Sequence, residues 1–172
     1  MPSLIAHTCI GAASAHAFRR AGEPWRFWVL GAVSAAVPDL DALGLYLGIP
    51  YAHPFGHRGF THSIFFAFVW AVLVVLIAFP KTPSSSRRWW FYLAFFFGVT
   101  ASHSLLDLFI AATHGVAILA PLTFERFSMP WTPVPGAPLH LRDVFTPYGW
   151  RVARGELLWL GLPLLGMLVV GA

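Results

Sequence analysis

Two stretches decide the fold: IFFAFVWAVLVVLIAF over Ile64–Phe79 and WWFYLAFFFGVTASHSLL over Trp89–Leu106. The first is sixteen residues without a charge, and only His103 interrupts the second. A bilayer span needs about 17–25 mainly apolar residues, and a soluble core has no need of such runs. The rest of the chain agrees. Of its 172 residues, 58% are hydrophobic and 10% charged, whereas soluble domains are roughly 45–50% apolar. The chain reads as an integral membrane protein and all-α, a polytopic transmembrane bundle of about five helices in one domain, 1–172.

Working outward, the expected spans are Ser3–Phe18, Trp25–Val37, Phe60–Phe79, Trp89–Ala112 and Leu157–Ala172. Pro38 is expected to stop the second helix just before Asp39 and Asp41. Pro80–Arg88, PKTPSSSRR, is a loop. Thr113–Glu156 holds six prolines and cannot be one regular element; it reads as an irregular cap or re-entrant segment. No internal repeat or low-complexity tract is present. The first stretch lacks the basic leader of a secretory signal and is expected to be a retained helix. Cys9 stands alone, which excludes an intrachain disulfide and a cysteine zinc cage; it is expected to be a small buried apolar residue. Trp25, Trp28, Trp89, Trp90 and Trp159 fall near span ends, as an interfacial belt would.

The net charge of +4 does not require a nucleic-acid partner, because most of the excess lies in two short loops. Arg19, Arg20, Arg26, Lys81, Arg87 and Arg88 mark those loops as cytoplasmic by the positive-inside rule. Arg58, Arg126, Arg142, Arg151 and Arg154 belong to the other face, mostly within the long segment, where that rule is weak. Gly161, Gly166 and Gly171 permit close helix packing without specifying an oligomer.

Four polar motifs punctuate the apolar chain: His7; Pro38-Asp39-Leu40-Asp41; His57-Arg58-Gly59-Phe60-Thr61-His62-Ser63; and His103-Ser104-Leu105-Leu106-Asp107. They hold four of the eight histidines and three of the seven acids. With Phe18, Trp25, Phe79 and Trp89 as the inner boundary, a rise of about 1.5 Å per residue places His7 at roughly 17 Å. The same rise puts Asp39 and His103 at about 21 Å, His62 at about 26 Å and Asp107 at about 27 Å. Segments distant in sequence thus converge on one ~10 Å slab inside a ~30 Å hydrocarbon core, on the non-cytoplasmic side.

Each motif alone has an ordinary explanation: a satisfied interior histidine, a solvated turn, a buried i, i+4 ion pair. Together they do not. An unpaired Asp or Arg at this depth costs about 2.5–3.5 kcal/mol on insertion scales, whereas a structural zinc site contributes roughly 10–16 kcal/mol. The candidate ligands are His7, Asp39, Asp41, His57, His62, His103 and Asp107. Seven exceed the four of one tetrahedral ion, so two divalent metal ions are expected. All-N/O ligation makes zinc the first expectation, with manganese or iron as alternatives. Thr100 and Ser104 lie beside the pair on α-helical spacing as supporting hydroxyls, and His114 and His140 are further imidazoles whose membership is open.

An N-terminal His, Pro-Asp-x-Asp, His-Arg-Gly-x-Thr-His-Ser and His-Ser-x-x-Asp on a small membrane protein resembles the LexA-regulated, bacterial inner-membrane metal-dependent hydrolase family. The resemblance covers roughly Met1 to Pro135, and His57–Ser63 is its most specific part. It implies a membrane-bound hydrolase of the inner membrane. Three function classes follow from the residues. In the first, a metal-dependent hydrolase acts on a phosphoester or other ester of a lipid-like substrate reached from the bilayer. Arg58, and less directly Arg126, would neutralise a developing oxyanion or phosphate. In the second, the metal only holds the bundle together, with every ligand position filled by protein. In the third, the His and Asp residues form an ion or proton relay, which would need polar groups continuing into Val69–Phe79 and Trp89–Val99; neither stretch supplies them.

Overall fold

A computed structural model describes residues 3–111, 114–138 and 141–170. Helix α1, Leu4–Phe18, starts at Ser3, whose hydroxyl accepts the Ala6 N–H. Helix α2, Trp25–Ala36, continues without a gap into a 3-10 turn, Val37–Ala42, and a short helix α3, Leu43–Tyr46. Helix α2 therefore ends just before Pro38, as expected, but the chain tightens into a 3-10 turn instead of leaving the helical run; Pro38 lies in the first turn of that segment and both aspartates ride on it.

The third expected span is also shorter than read from the sequence. Phe60–His62 is a 3-10 turn, Ser63 is extended, and helix α4 begins only at Ile64 and ends at Ala78. Ser63 caps it by accepting the Phe66 N–H at 3.0 Å. Helix α5, Arg87–Asp107, is capped in the same way by Ser86 and stops at Asp107 rather than at 112. Ile110–Ala111 (β1) pairs in parallel with Val134–Pro135 (β2), so the proline-rich cap carries a two-stranded ribbon. Short helix α6, Leu141–Val144, leads to α7, Pro147–Trp159, and α8, Gly161–Val170. The fifth expected span, Leu157–Ala172, is thus broken at Leu160. Pro163 has no N–H to give the Trp159 carbonyl, so one helix cannot run through. Residues 171 and 172 lie outside the described residues.

Helix α1 packs on α2, α4 on α5, and α2 on both α4 and α5. The closest approach is between α1 and α2, where a Cβ on Gly11 would fall on the Gly31 carbonyl oxygen. One end of this bundle is filled by aromatic and aliphatic side chains, including Phe27, Phe79, Tyr92, Phe95 and Phe96. The chain direction of each helix then carries His7, the 3-10 turn after α2, the start of α4 and the end of α5 to the opposite end. Helix α8 lies against α1, and Glu156 accepts both the N–H and the hydroxyl of Ser3.

Among the described residues one run, Trp25–Tyr46, is long and apolar enough by length and composition to cross a membrane, and Leu4–Phe18 and Ile64–Ala78 are shorter apolar helices. Cys9 is exposed rather than buried, because it lies about 200° around α1 from the buried His7.

Candidate metal centre

The four motifs end in one buried cluster. His7, Asp39, His57, His62, His103 and Asp107 are all buried, and the Asp41 carboxylate is 3% exposed although its residue as a whole is partly open. Two groups have one ligand atom each within 4.8 Å of the others: His7, His103 and Asp107, and Asp39, His57 and His62.

The groups meet. His103 Nε2 lies 3.1 Å from His62 Nε2, and Asp39 Oδ1 lies 3.4 Å from the former and 3.5 Å from the latter. Asp107 Oδ1 is 3.5 Å from His7 Nε2, and its Oδ2 is 3.7 Å from His62 Nε2. A tetrahedral ion with bonds of about 2.0–2.1 Å spaces its ligand atoms about 3.3–3.4 Å apart, so the atoms of the two groups lie at spacings usual for metal ligands.

The tautomers sharpen the case. His103 Nδ1 is 2.7 Å from the Ala35 carbonyl. His57 Nδ1 is 2.6 Å from Asp41 Oδ1, and His62 Nδ1 is 3.0 Å from Asp41 Oδ2. Each of these oxygens can only accept, so each Nδ1 carries the proton and each Nε2 is left with a lone pair. The facing Nε2 atoms of His62 and His103 therefore repel unless positive charge lies between them. A single proton would satisfy one such contact. Divalent cations would satisfy these atoms, along with the oxygens of Asp39 and Asp107 and the Nε2 of His7, none of which has a hydrogen-bond partner among the described residues.

Asp41 has a different place from the other carboxylates. Besides the two imidazoles, it accepts the Thr61 hydroxyl at 2.5 Å and the Arg58 N–H at 3.1 Å. It sits behind the histidines, as the outer carboxylate of a carboxylate–histidine–metal arrangement does. Asp41→Asn is expected to weaken divalent-ion binding about 10–100-fold. Zinc titration of the metal-stripped variant checks this, and an unchanged affinity removes Asp41 from that role.

Arg58 is fully buried and has the left-handed backbone conformation rare outside glycine, φ 63°. Two backbone bonds hold it there: its N–H on Asp41, and its carbonyl accepting the Ala117 N–H at 3.0 Å. Its Nε lies 3.0 Å from Asp107 Oδ2, and Nη1 donates to the His114 carbonyl at 3.3 Å. Among the described residues Nη2 is buried without a hydrogen-bond partner. The neighbouring Gly59 is required because a side chain would strike the Pro54 carbonyl.

The family model described as YdjM inner membrane protein matches residues 1–172. The chain belongs to the YdjM inner membrane protein family. The inner membrane protein YbcI of Escherichia coli (strain K12) is 38% identical over 171 residues, covering 99% of this chain and 96% of that protein. No solved structure matches it.

In this YdjM-family chain, Arg126 is placed differently from the ligand motifs. Its Nη1 donates to the carbonyls of His57 (2.9 Å) and Gly115 (3.3 Å), and its Nη2 to those of Tyr51 (2.8 Å) and His53 (3.3 Å). The guanidinium ties the cap to the His57 loop through backbone. Burial lowers its pKa from the ordinary arginine value.

Residues outside the expected ligand set also contribute. Thr61 bonds Asp41, the Ala35 carbonyl fixes His103, and the Tyr51 ring stands edge-on to His57 at 5.2 Å. Burial pushes the Tyr51 phenol up to about 12, so it remains a neutral donor. Two hydroxyls beside two histidines were a visible signal for Thr61; a backbone carbonyl leaves none. Thr100 spends its hydroxyl on the Phe96 carbonyl, while Ser104 Oγ is buried and has no hydrogen-bond partner among the described residues. His114 joins through its carbonyl and by a ring contact with Tyr51 at 4.7 Å. His140 lies outside the described residues. Two apolar grooves of about 620 and 600 Å³ flank the helices, and no candidate ligand lines either.

Proposed function

We propose that this inner-membrane protein is a metal-dependent hydrolase whose helices α1, α2–α3, α4 and α5 cross the bilayer, with residues 19–24 and 79–86 on the cytoplasmic side and the metal centre toward the other face. The observation that carries the reading is the pair of buried three-residue N/O groups. Three protein ligands per ion is the pattern of catalytic centres, which keep a position for water or substrate. The residues suited to hold two ions are His7, His103 and Asp107 for one, and Asp39, His57 and His62 for the other. Zinc is the first choice, with manganese or iron also compatible with these donors. Divalent ions held there supply Lewis-acid activation of water and of an ester or phosphoryl oxygen.

The chain's own residues do the rest. Asp41 and the Ala35 carbonyl keep protons on Nδ1 and so keep Nε2 available as a ligand. The unbonded Nη2 of Arg58 offers charge to a developing oxyanion, while its Nε remains beside Asp107. The expected substrate is a phosphoester or other ester of a lipid-like molecule, reached from the membrane. Metal analysis of the purified protein, followed by a screen of phosphoesters and lipid esters with the metal-loaded protein, tests the reading. Stoichiometric metal with turnover supports it.

One observation favours a second reading, a centre that only holds the bundle together: the ligands are buried and neither flanking groove is lined by them. Stoichiometric metal with all positions filled by protein ligands, seen by X-ray absorption, would select that reading.

A further inference from the structure

The groove of about 620 Å³ lies away from the metal ligands, walled by α1, α5 and the α7–α8 break. Its lining along α5 runs from Phe91 to Leu106, with Phe109 just past the helix end, a rise of about 22 Å at about 1.5 Å per residue. That rise covers most of the ~30 Å of a bilayer's hydrocarbon core. Ile10, Ser14 and Phe18 form the α1 wall, and Trp159, Leu160 and Leu164 the third.

Gly98, at the middle of the α5 wall, is the informative residue. A glycine inside a helix costs about 0.8–1 kcal/mol relative to alanine. At Gly11 and Gly31 that cost permits contact between two helices. At Gly98, the helix's own backbone and the chain neighbours aside, no described residue lies within 4 Å of where a Cβ would be. Its missing side chain makes room in the groove for something other than this protomer. The groove's Phe91 end supplies the second observation: the guanidinium of Arg20 stacks on the Phe91 ring, 3.9 Å from its centroid. Among the described residues Arg20 has no carboxylate partner. An apolar slot that covers most of a leaflet-to-leaflet depth, with a cation stacked on a ring that lines one end, matches one class of molecule.

We propose that this groove binds one acyl chain of an anionic phospholipid, with the lipid phosphate on Arg20. The site is separate from the metal centre and does not depend on what that centre does. A lipid held there fills the space beneath the α7–α8 break and so seats α8 against α1.

The test is native mass spectrometry of the full-length protein in mild detergent, titrated with phosphatidylglycerol or phosphatidylcholine. Wild type is expected to retain one phosphatidylglycerol and to prefer it to phosphatidylcholine by about fivefold, the contribution of one arginine at a membrane surface. Arg20→Gln should erase that preference. Gly98→Phe, whose side chain would project into the groove from a Cβ with open space around it, should lose both lipids while keeping its helicity and metal content; Gly98→Leu provides the same reading if the larger side chain lowers yield. Equal retention of the two lipids by wild type overturns the proposal, as does undiminished retention in the Gly98 variants. A lipid-free dimer that Gly98→Phe abolishes would assign the groove to a second copy of the chain and overturn it as well.

Discussion

Asp107→Ala is expected to yield protein carrying about one divalent ion fewer per chain and destabilised by roughly 3–5 kcal/mol, the cost of breaking a buried ion pair by removing one partner. Asp107 stands where three interactions meet. One oxygen lies 3.5 Å from His7, and the other 3.0 Å from Arg58 and 3.7 Å from His62. Removing the carboxylate deletes a ligand and strands a guanidinium that is 1% exposed. The two effects separate in the double variant Asp107→Asn with Arg58→Gln. It restores electrical balance without restoring the ligand, so folded yield should return while metal does not. Elemental analysis and thermal unfolding in detergent read the two outcomes. Unchanged metal stoichiometry in Asp107→Ala would end the ligand assignment.

Arg58→Ala should have the opposite profile, with metal content preserved and hydrolysis of an anionic ester reduced about 10²–10³-fold, the usual cost of losing one donor to a developing oxyanion. Asp107, freed of its guanidinium, has more charge to offer an ion. Arg58→Lys retains the cation without the planar fork and should recover only part of the rate. The loss should fall on kcat more than on KM, because the unbonded Nη2 is suited to charge that develops during reaction. Loss of metal together with activity would make Arg58 a structural partner of Asp107 alone.

The helical class and the side of the bundle on which the polar motifs gather were readable from the chain. Apolar runs bounded by Phe18, Trp25, Phe79 and Trp89 fix both length and direction, and the rise per residue does the rest. Boundaries were less readable. Pro38 ends α2 as expected, but the turn that follows, a 3-10 segment from Val37 that keeps the chain in a helical run, was not foreseen. The break at Leu160 was missed because the composition of Leu157–Ala172 is uniformly apolar, while Pro163 withholds one backbone bond. Cys9 was expected inside, but its angular position on α1, not its residue type, decides its exposure.

The sequence by itself determined which residues could carry charge into an apolar setting: four histidines, three aspartates and Arg58, on segments of calculable length. It could not divide them into ligands and supports, since Asp39 and Asp41 look alike two residues apart. Only the tertiary structure turned one toward His62 and His103 and the other toward His57, Thr61 and the Arg58 N–H. It also assigned Arg126 to backbone carbonyls. Residue type sets what a side chain can bind, but its direction depends on the turn that carries it and on the acceptors that distant segments bring alongside.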